Sequence, residues 1–239
     1  MNRKKLCICL LPLVLLLISL NVTAQDTPGD GDDNGRRKAP EGFVEYTPEF
    51  EFRDGIYPNF MTVKRNEPIP KTRLVTEADL FSRDFYEEVT EQKRIVYYDD
   101  NGVMQELRTA NIWGYGRNGV LYINLGSKFH RISFVGSISH FVATLTTYNS
   151  GYYDPYYDYY SSRYYRSPSS YSSTEVRQYL IDFETGKLME FDVNSVEIML
   201  MKDPKLYDEY IELRRKKKKQ YKFVYIRKFN ERNPLYFPE

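Results

Sequence analysis

From Lys93 onward, apolar and polar residues run in short stretches broken by turn residues, and the pattern predicts a β-meander. Ile95 to Tyr98 and Val103 to Arg108 flank the turn Asp99-Asp100-Asn101-Gly102. Ile112, Trp113 and Tyr115 precede Asn118-Gly119, and Val120 to Ile123 follow it. Asn-Gly suits a two-residue type I′ hairpin, because both central residues need positive φ. Trp113 is the only tryptophan, and a buried indole there would be the largest apolar block of the core. Gly126-Ser127 and Gly136-Ser137 divide further strands at Phe129 to Val135 and Ile138 to Tyr148. Glu175 to Phe183 and Lys187 to Phe191 flank Glu184-Thr185-Gly186. Strands so spaced are expected to pair as sequential antiparallel neighbours.

Outside the meander the periods change. Gly42 to Phe52 reads as one strand interrupted by Pro48, and Asp54-Gly55 as a turn. Pro58 is expected in the first turn of a short helix over Asn59 to Arg65. Arg73 to Thr76 is a short strand, and Glu77 to Thr90 a helix or structured loop carrying Leu80, Phe81, Phe85 and Val89. Near the end, Asn194 is expected to cap a helix over Ser195 to Met201, and Asp203 a second one with Pro204 at its first position. Arg214 to Lys219 then reads as the basic end of that second helix, where the dipole favours cations. Tyr221 to Phe229 continues as helix or as a strand, with helix preferred, ending by Asn233-Pro234.

Composition changes this picture at the N-terminus. Asn2-Arg3-Lys4-Lys5, the apolar run Leu6 to Leu20 and Val22-Thr23-Ala24 form the three regions of a signal peptide over residues 1–24. Residues 25–40 are Gly, Asp, Pro and charge, and are expected to be a disordered linker. Their aspartates lack the distal glutamate of a calcium loop. One β-rich domain, 41–239, remains. Both cysteines lie in the signal, so the exported chain has no thiol chemistry. Losing three basic residues takes the net charge from +1 to −2, too little to draw the chain to nucleic acid. After cleavage no segment is expected to span a membrane.

Three groups of residues carry candidate chemistry. His130 and His140 lie on consecutive strands and would face each other if the turn centres near Val135-Gly136, but no metal-ligand spacing accompanies them. A tyrosine-rich insertion occupies 149–173, with Tyr152, Tyr153, Tyr156, Tyr157, Tyr159, Tyr160, Tyr164 and Tyr165 as a recognition surface. Tyrosine gives broad amphipathic contact at low entropy cost. Arg214, Arg215, Lys216, Lys217, Lys218 and Lys219 form an anionic-surface contact or a solvated helix end. No nucleophile elbow and no phosphate-cradling glycine motif occurs, so no catalytic residue and no cofactor is expected.

Arg53-Asp54-Gly55-Ile56-Tyr57, Ile112-Trp113-Gly114-Tyr115 with Asn118 to Ile123, and Tyr225 to Leu235 resemble uncharacterised signal-peptide-bearing proteins of Bacteroidota, a domain of unknown function. The resemblance covers most of Phe43 to Pro238. It implies a Gram-negative envelope setting, periplasmic or secreted, and carries over no site residue. The expected fold is α+β: a mainly antiparallel meander (sheet, sandwich or partly closed barrel) with C-terminal helices over 194–232. The expected function is non-catalytic surface recognition, with an envelope protein, a glycan or lipid head groups as partner. The alternatives are a lipocalin-like small-molecule carrier and a hydrolase with no recognised motif.

Overall fold

The computed structural model describes residues 39–126, 128–149 and 171–239. The expected signal peptide, all of the linker but Ala39 and Pro40, and the eight candidate tyrosines between Tyr152 and Tyr165 lie outside the described residues. In chain order the strands are β1 (Phe43–Glu45), β2 (Gly55–Tyr57), β3 (Leu74–Val75), β4 (Arg94–Tyr98), β5 (Met104–Arg108), β6 (Gly114–Arg117), β7 (Val120–Leu125), β8 (Lys128–Phe134), β9 (Ile138–Asn149), β10 (Tyr171–Asp182), β11 (Leu188–Glu190) and β12 (Tyr236–Pro238). The helices are α1 (Phe60–Lys64), α2 (Phe85–Glu91), α3 (Val193–Leu200), α4 (Pro204–Ile211) and α5 (Arg215–Arg232).

The β6–β7 hairpin forms as the Asn-Gly pair predicts, with φ of 50° at Asn118 and 73° at Gly119. Its register pairs Arg117 with Val120 and Tyr115 with Tyr122. Glycines flank Tyr115 because backbones press on both sides. A Cβ on Gly114 would stand 1.9 Å from the Tyr122 carbonyl oxygen, and one on Gly116 2.4 Å from that of Arg53.

Seven strands form one sheet in the order β11-β10-β9-β8-β7-β6-β2, nearly all sequential and antiparallel. The order is linear and the sheet does not close into a barrel. A three-stranded sheet, β3-β4-β5, and a two-stranded ribbon, β1-β12, complete an α+β fold. Side chains alternate between faces along a strand, and both faces here carry packed clusters. One face carries Leu121, Ile123, Ile132, Phe141, Ala143, Tyr179 and Ile181, packed with Phe52, Phe183 and Phe237. The other divides in two. Ile138 and Leu180 meet α3, α4 and α5 through Val196, Leu200, Leu206, Tyr210, Ile226 and Phe229. Ile56 and Tyr115 meet α2 and the small sheet through Phe85, Tyr86, Val89 and Ile95.

The core is rich in aromatic rings: Tyr57, Tyr86, Tyr115, Tyr210, Phe85, Phe141, Phe183 and Phe237 are all fully buried. Trp113 is not its centre. The indole is only partly buried, at the margin of the first cluster and 6.0 Å from the Phe60 ring. Its backbone enters the hairpin edge instead, with its N–H on the Tyr57 carbonyl at 3.0 Å.

Several boundaries shift for local reasons. The expected strand over 42–52 stops at Glu45, since Pro48 cannot continue a ladder. β1 pairs instead with the C-terminal β12, a strand the sequence pattern did not reveal. Pro58 precedes the cap of α1 rather than entering its first turn, and Asn59 caps it by accepting from Thr62 N–H at 3.1 Å. Leu80 and Phe81 are exposed; α2 begins only after Asp84 and buries Phe85 and Val89. Asp192, not Asn194, caps α3, accepting from Ser195 N–H at 2.7 Å. Asp203 caps α4 as expected, and Tyr221 to Phe229 is helical.

Residue block 225–235 bolts α5 to the rest. Asn230 accepts from Ile138 N–H at 2.8 Å and donates to its carbonyl at 2.9 Å, closing the backbone where β9 starts. Arg232 makes two bonds to Asp203, and the Ser137 hydroxyl donates to the Asn233 carbonyl at 2.6 Å.

Candidate functional site

The basic run does not end a helix; it begins one. α4 stops at Ile211 with Glu212 as its C-cap, the chain turns, and α5 starts at Arg215. The turn is required by packing. Leu213 lies against the second core, and reversal brings Tyr225, Ile226 and Phe229 back onto Leu206 and Tyr210. A continuous helix would carry those residues away from the sheet. Arg214 is therefore the N-cap, and its side chain makes no capping bond. Cations in the first turn oppose the dipole and cost about 0.3–1 kcal/mol each. Helix stability thus offers no reason for the run.

Its side chains divide by face. Lys218 points inward and pairs with Glu197 at 2.7 Å. One turn on, Lys222 donates to the Phe191 carbonyl at 2.7 Å and lies 3.7 Å from that ring's centre. Helical spacing places Lys216, Lys217, Gln220, Val224 and Arg227 on the opposite face, and all are exposed. Phe223 and Tyr221 flank that face, also exposed. Among the described residues, Lys218 alone of the six basic residues is ion-paired. The resulting surface is cationic, with apolar side chains set among the charges.

The two histidines do not meet. Register sets His130 opposite Ile123 and His140 opposite Phe134, with a shift of register between Ile132 and Phe134. His130 stacks toward Phe141 of the first core, and its Nε2–H donates to the Leu125 carbonyl at 3.2 Å. His140 lies on the helix-covered face, against Phe191 and Phe223, with Nε2–H on Gln178 Oε1 at 3.1 Å. Burial holds both imidazoles below their ordinary pKa. Among the described residues, no three His, Cys, Asp or Glu side chains converge on a point that could hold a metal.

A third feature was not singled out in the sequence. Between the seven-stranded sheet, the end of α2 and the end of β5 lies a cleft of about 630 Å³. Its floor is an aromatic stack. Tyr86 lies 4.9 Å from Tyr115 at 7°, Tyr115 lies 4.7 Å from Tyr122 at 15°, and Phe129 leans on Tyr115 at 5.2 Å. Tyr86 and Tyr115 are buried behind; Tyr122 and Phe129 are half-buried and line the opening. Burial pushes the Tyr115 phenol up to about 12 and that of Tyr86 further still. The signal for this floor is present in the sequence. A turn centred on Asn118-Gly119 sets Tyr115 across from Tyr122, and one on Gly126-Ser127 sets Phe129 across from Asn124.

Tyr86 has a cost built in. Its hydroxyl is buried and is the one such side-chain polar atom without a hydrogen-bond partner among the described residues. The Tyr57 hydroxyl, equally buried, is within bonding distance of Asn66 Oδ1 at 2.8 Å and the Arg53 carbonyl at 3.0 Å. Tyr86→Phe should raise stability by about 1 kcal/mol, while Tyr57→Phe should lower it by about the same amount. Urea midpoints at constant slope decide this, and a loss in Tyr86→Phe would mean that the hydroxyl is bonded after all.

Comparison with protein-family models, curated proteins and solved structures finds no match for this chain. Among the described residues, no helix is long and apolar enough to cross a membrane.

Proposed function

We propose that this is an exported, non-catalytic protein of the bacterial envelope that works by surface contact, and that the first turns of α5 dock on an anionic lipid surface. One observation supports the reading above the rest. Six consecutive basic residues open a helix, the first of them at the positive end of its dipole where they oppose helix stability, and the outward face they share carries exposed Val224. Such a face suits a headgroup layer, where each Lys or Arg near the surface contributes about 1 kcal/mol and apolar side chains enter the acyl boundary. The reading of Arg214 to Lys219 as a solvated helix end rested on placement at a C-terminus, and that placement is not found.

The tyrosine-rich insertion is the second proposed contact, for an envelope protein or a glycan. β9 and β10 support this reading, because they pair without a break from Ile138–Asp182 to Asn149–Tyr171 and so bring the two ends of the insertion together. The carrier alternative loses its premise, since the sheet is open.

Vesicle sedimentation tests the lipid reading. The full chain should bind phosphatidylglycerol-containing vesicles, ignore phosphatidylcholine vesicles, and release as salt shortens the Debye length. Replacing Arg214 through Lys219 with glutamine should weaken binding by at least about tenfold while circular dichroism stays unchanged. Equal binding by the replaced chain would refute the proposal.

A further inference from the structure

We propose that the aromatic-floored cleft is a binding site for a neutral oligosaccharide. The proposal is independent of the lipid contact. Its argument begins with the floor. Tyr122 and Phe129 show part of their rings to the cleft, while buried Tyr86 and Tyr115 hold the stack from behind. Little side-chain freedom is left to lose on binding, which favours affinity. The C–H face of a pyranose packs on such rings, and the cleft volume falls in the range of small-molecule sites.

The walls supply the polar half. Asn124 commits both amide hydrogens, to the Thr109 carbonyl at 3.1 Å and the Ile112 carbonyl at 3.2 Å. Its Oδ1 is left as an acceptor on a fixed side chain. Thr109 is itself pinned, its hydroxyl donating to the Gln92 carbonyl and its N–H to the Lys93 carbonyl. One face of α2 forms a wall, with the Glu87 and Glu91 carboxylates and, at its end, terminal carbonyls that no intrahelical N–H satisfies. Lys93, Arg108 and Lys128 complete the lining and bring donors.

This mixture selects among ligand classes. An anion would meet Glu87 and Glu91 and the carbonyl end of α2. A cation would meet the three basic side chains. A purely apolar molecule would desolvate charged groups of both signs without replacing their bonds. A polyhydroxylated ring both donates and accepts, so it can use both kinds of group at once while its apolar face covers the aromatic floor.

The test uses the full chain and four neutral tetrasaccharides, of α-linked glucose and of β-linked glucose, mannose and galactose. Saturation-transfer NMR detects binding, and calorimetry measures it. At least one should bind. Phe129→Ala removes one of the two exposed rings of the floor and should weaken that binding about tenfold. Glu91→Ala, on the exposed end of α2, leaves the core untouched and should also weaken it by about tenfold through loss of a charged acceptor. Failure of all four sugars to bind the folded chain would overturn the proposal. So would a sugar whose affinity is the same in Glu91→Ala as in the parent chain, because it would then sit elsewhere.

Discussion

Replacing Phe237 with alanine is expected to destabilise the fold by about 4 kcal/mol, the middle of the range for losing a fully buried phenylalanine. The ring meets four others: Phe50 stacked at 4.6 Å, Phe52 at 5.2 Å, Phe183 at 5.6 Å and Tyr46 at 6.3 Å. Those neighbours come from the start of the domain and from the end of the β10 segment, so one side chain two residues before Glu239 joins distant parts of the chain. Its backbone holds β12 against β1, and Val44 is its register partner. A cavity here cannot collapse easily, because the rings around it are held by separate elements. The loss would be a large share of the roughly 5–15 kcal/mol that keeps an ordinary domain folded. Denaturant unfolding followed by circular dichroism measures it. Phe237→Leu, which keeps most of the volume, should retain most of the stability. A loss below about 1 kcal/mol in Phe237→Ala would show that the ribbon is a loose appendage and not a clasp.

That clasp marks the limit of what the sequence alone made legible. The meander was readable because each of its turns is announced locally. Asn118-Gly119 sets the β6–β7 register, and the Asp99 to Gly102 turn sets that of β4 and β5. The pairing of β1 with β12 joins residues from opposite ends of the domain, and no local residue pattern specifies such a partner. The basic run was misplaced for a similar reason. Acidic residues followed by basic ones match a single helix, yet burial of Ile226 and Phe229 against Leu206 and Tyr210 requires a reversal at Leu213. Tertiary packing overrode a helix-end rule worth less than 1 kcal/mol per residue. Residue size suggests a central, buried Trp113, while its position at the sheet margin leaves the indole partly exposed. The cleft was hidden in a different way. Its tyrosines are indistinguishable in sequence from other strand aromatics until α2 and β5 are brought over them.

Lys202→Met should cost about 2 kcal/mol at pH 7, between the values for a surface pair and a buried one because Asp182 is buried and Lys202 is not, and the cost should shrink as the solution is acidified. Lys202 Nζ lies 2.8 Å from both Asp182 oxygens and 2.7 Å from Glu184 Oε2. Burial by itself would raise the Asp182 carboxyl. The Lys202 ammonium, the Thr185 hydroxyl at 2.7 Å and the Glu184 N–H together outweigh it and hold the group below its ordinary 3.8. Burial likewise lowers Lys202, and the two carboxylates overcome it and hold the ammonium above 10.5. A depressed acid contributes stability that is complete above its unfolded pKa and is lost as pH falls through the folded value. A raised base contributes stability that is complete below its unfolded pKa and is lost as pH rises through the folded value. The parent chain should therefore keep the full contribution of this pair from about pH 4 to about pH 10. Without Lys202 the balance at Asp182 shifts toward burial, which is then opposed only by the Thr185 hydroxyl and one N–H. Its carboxyl rises, takes up a proton on mild acidification, and the uncompensated charge disappears. Unfolding free energies of parent and variant should accordingly converge between pH 7 and pH 4. Asp182→Asn placed on top of Lys202→Met should recover most of the loss at pH 7. A penalty that stays constant across that pH range would mean that Lys202 acts through packing of its methylene chain and not through its charge.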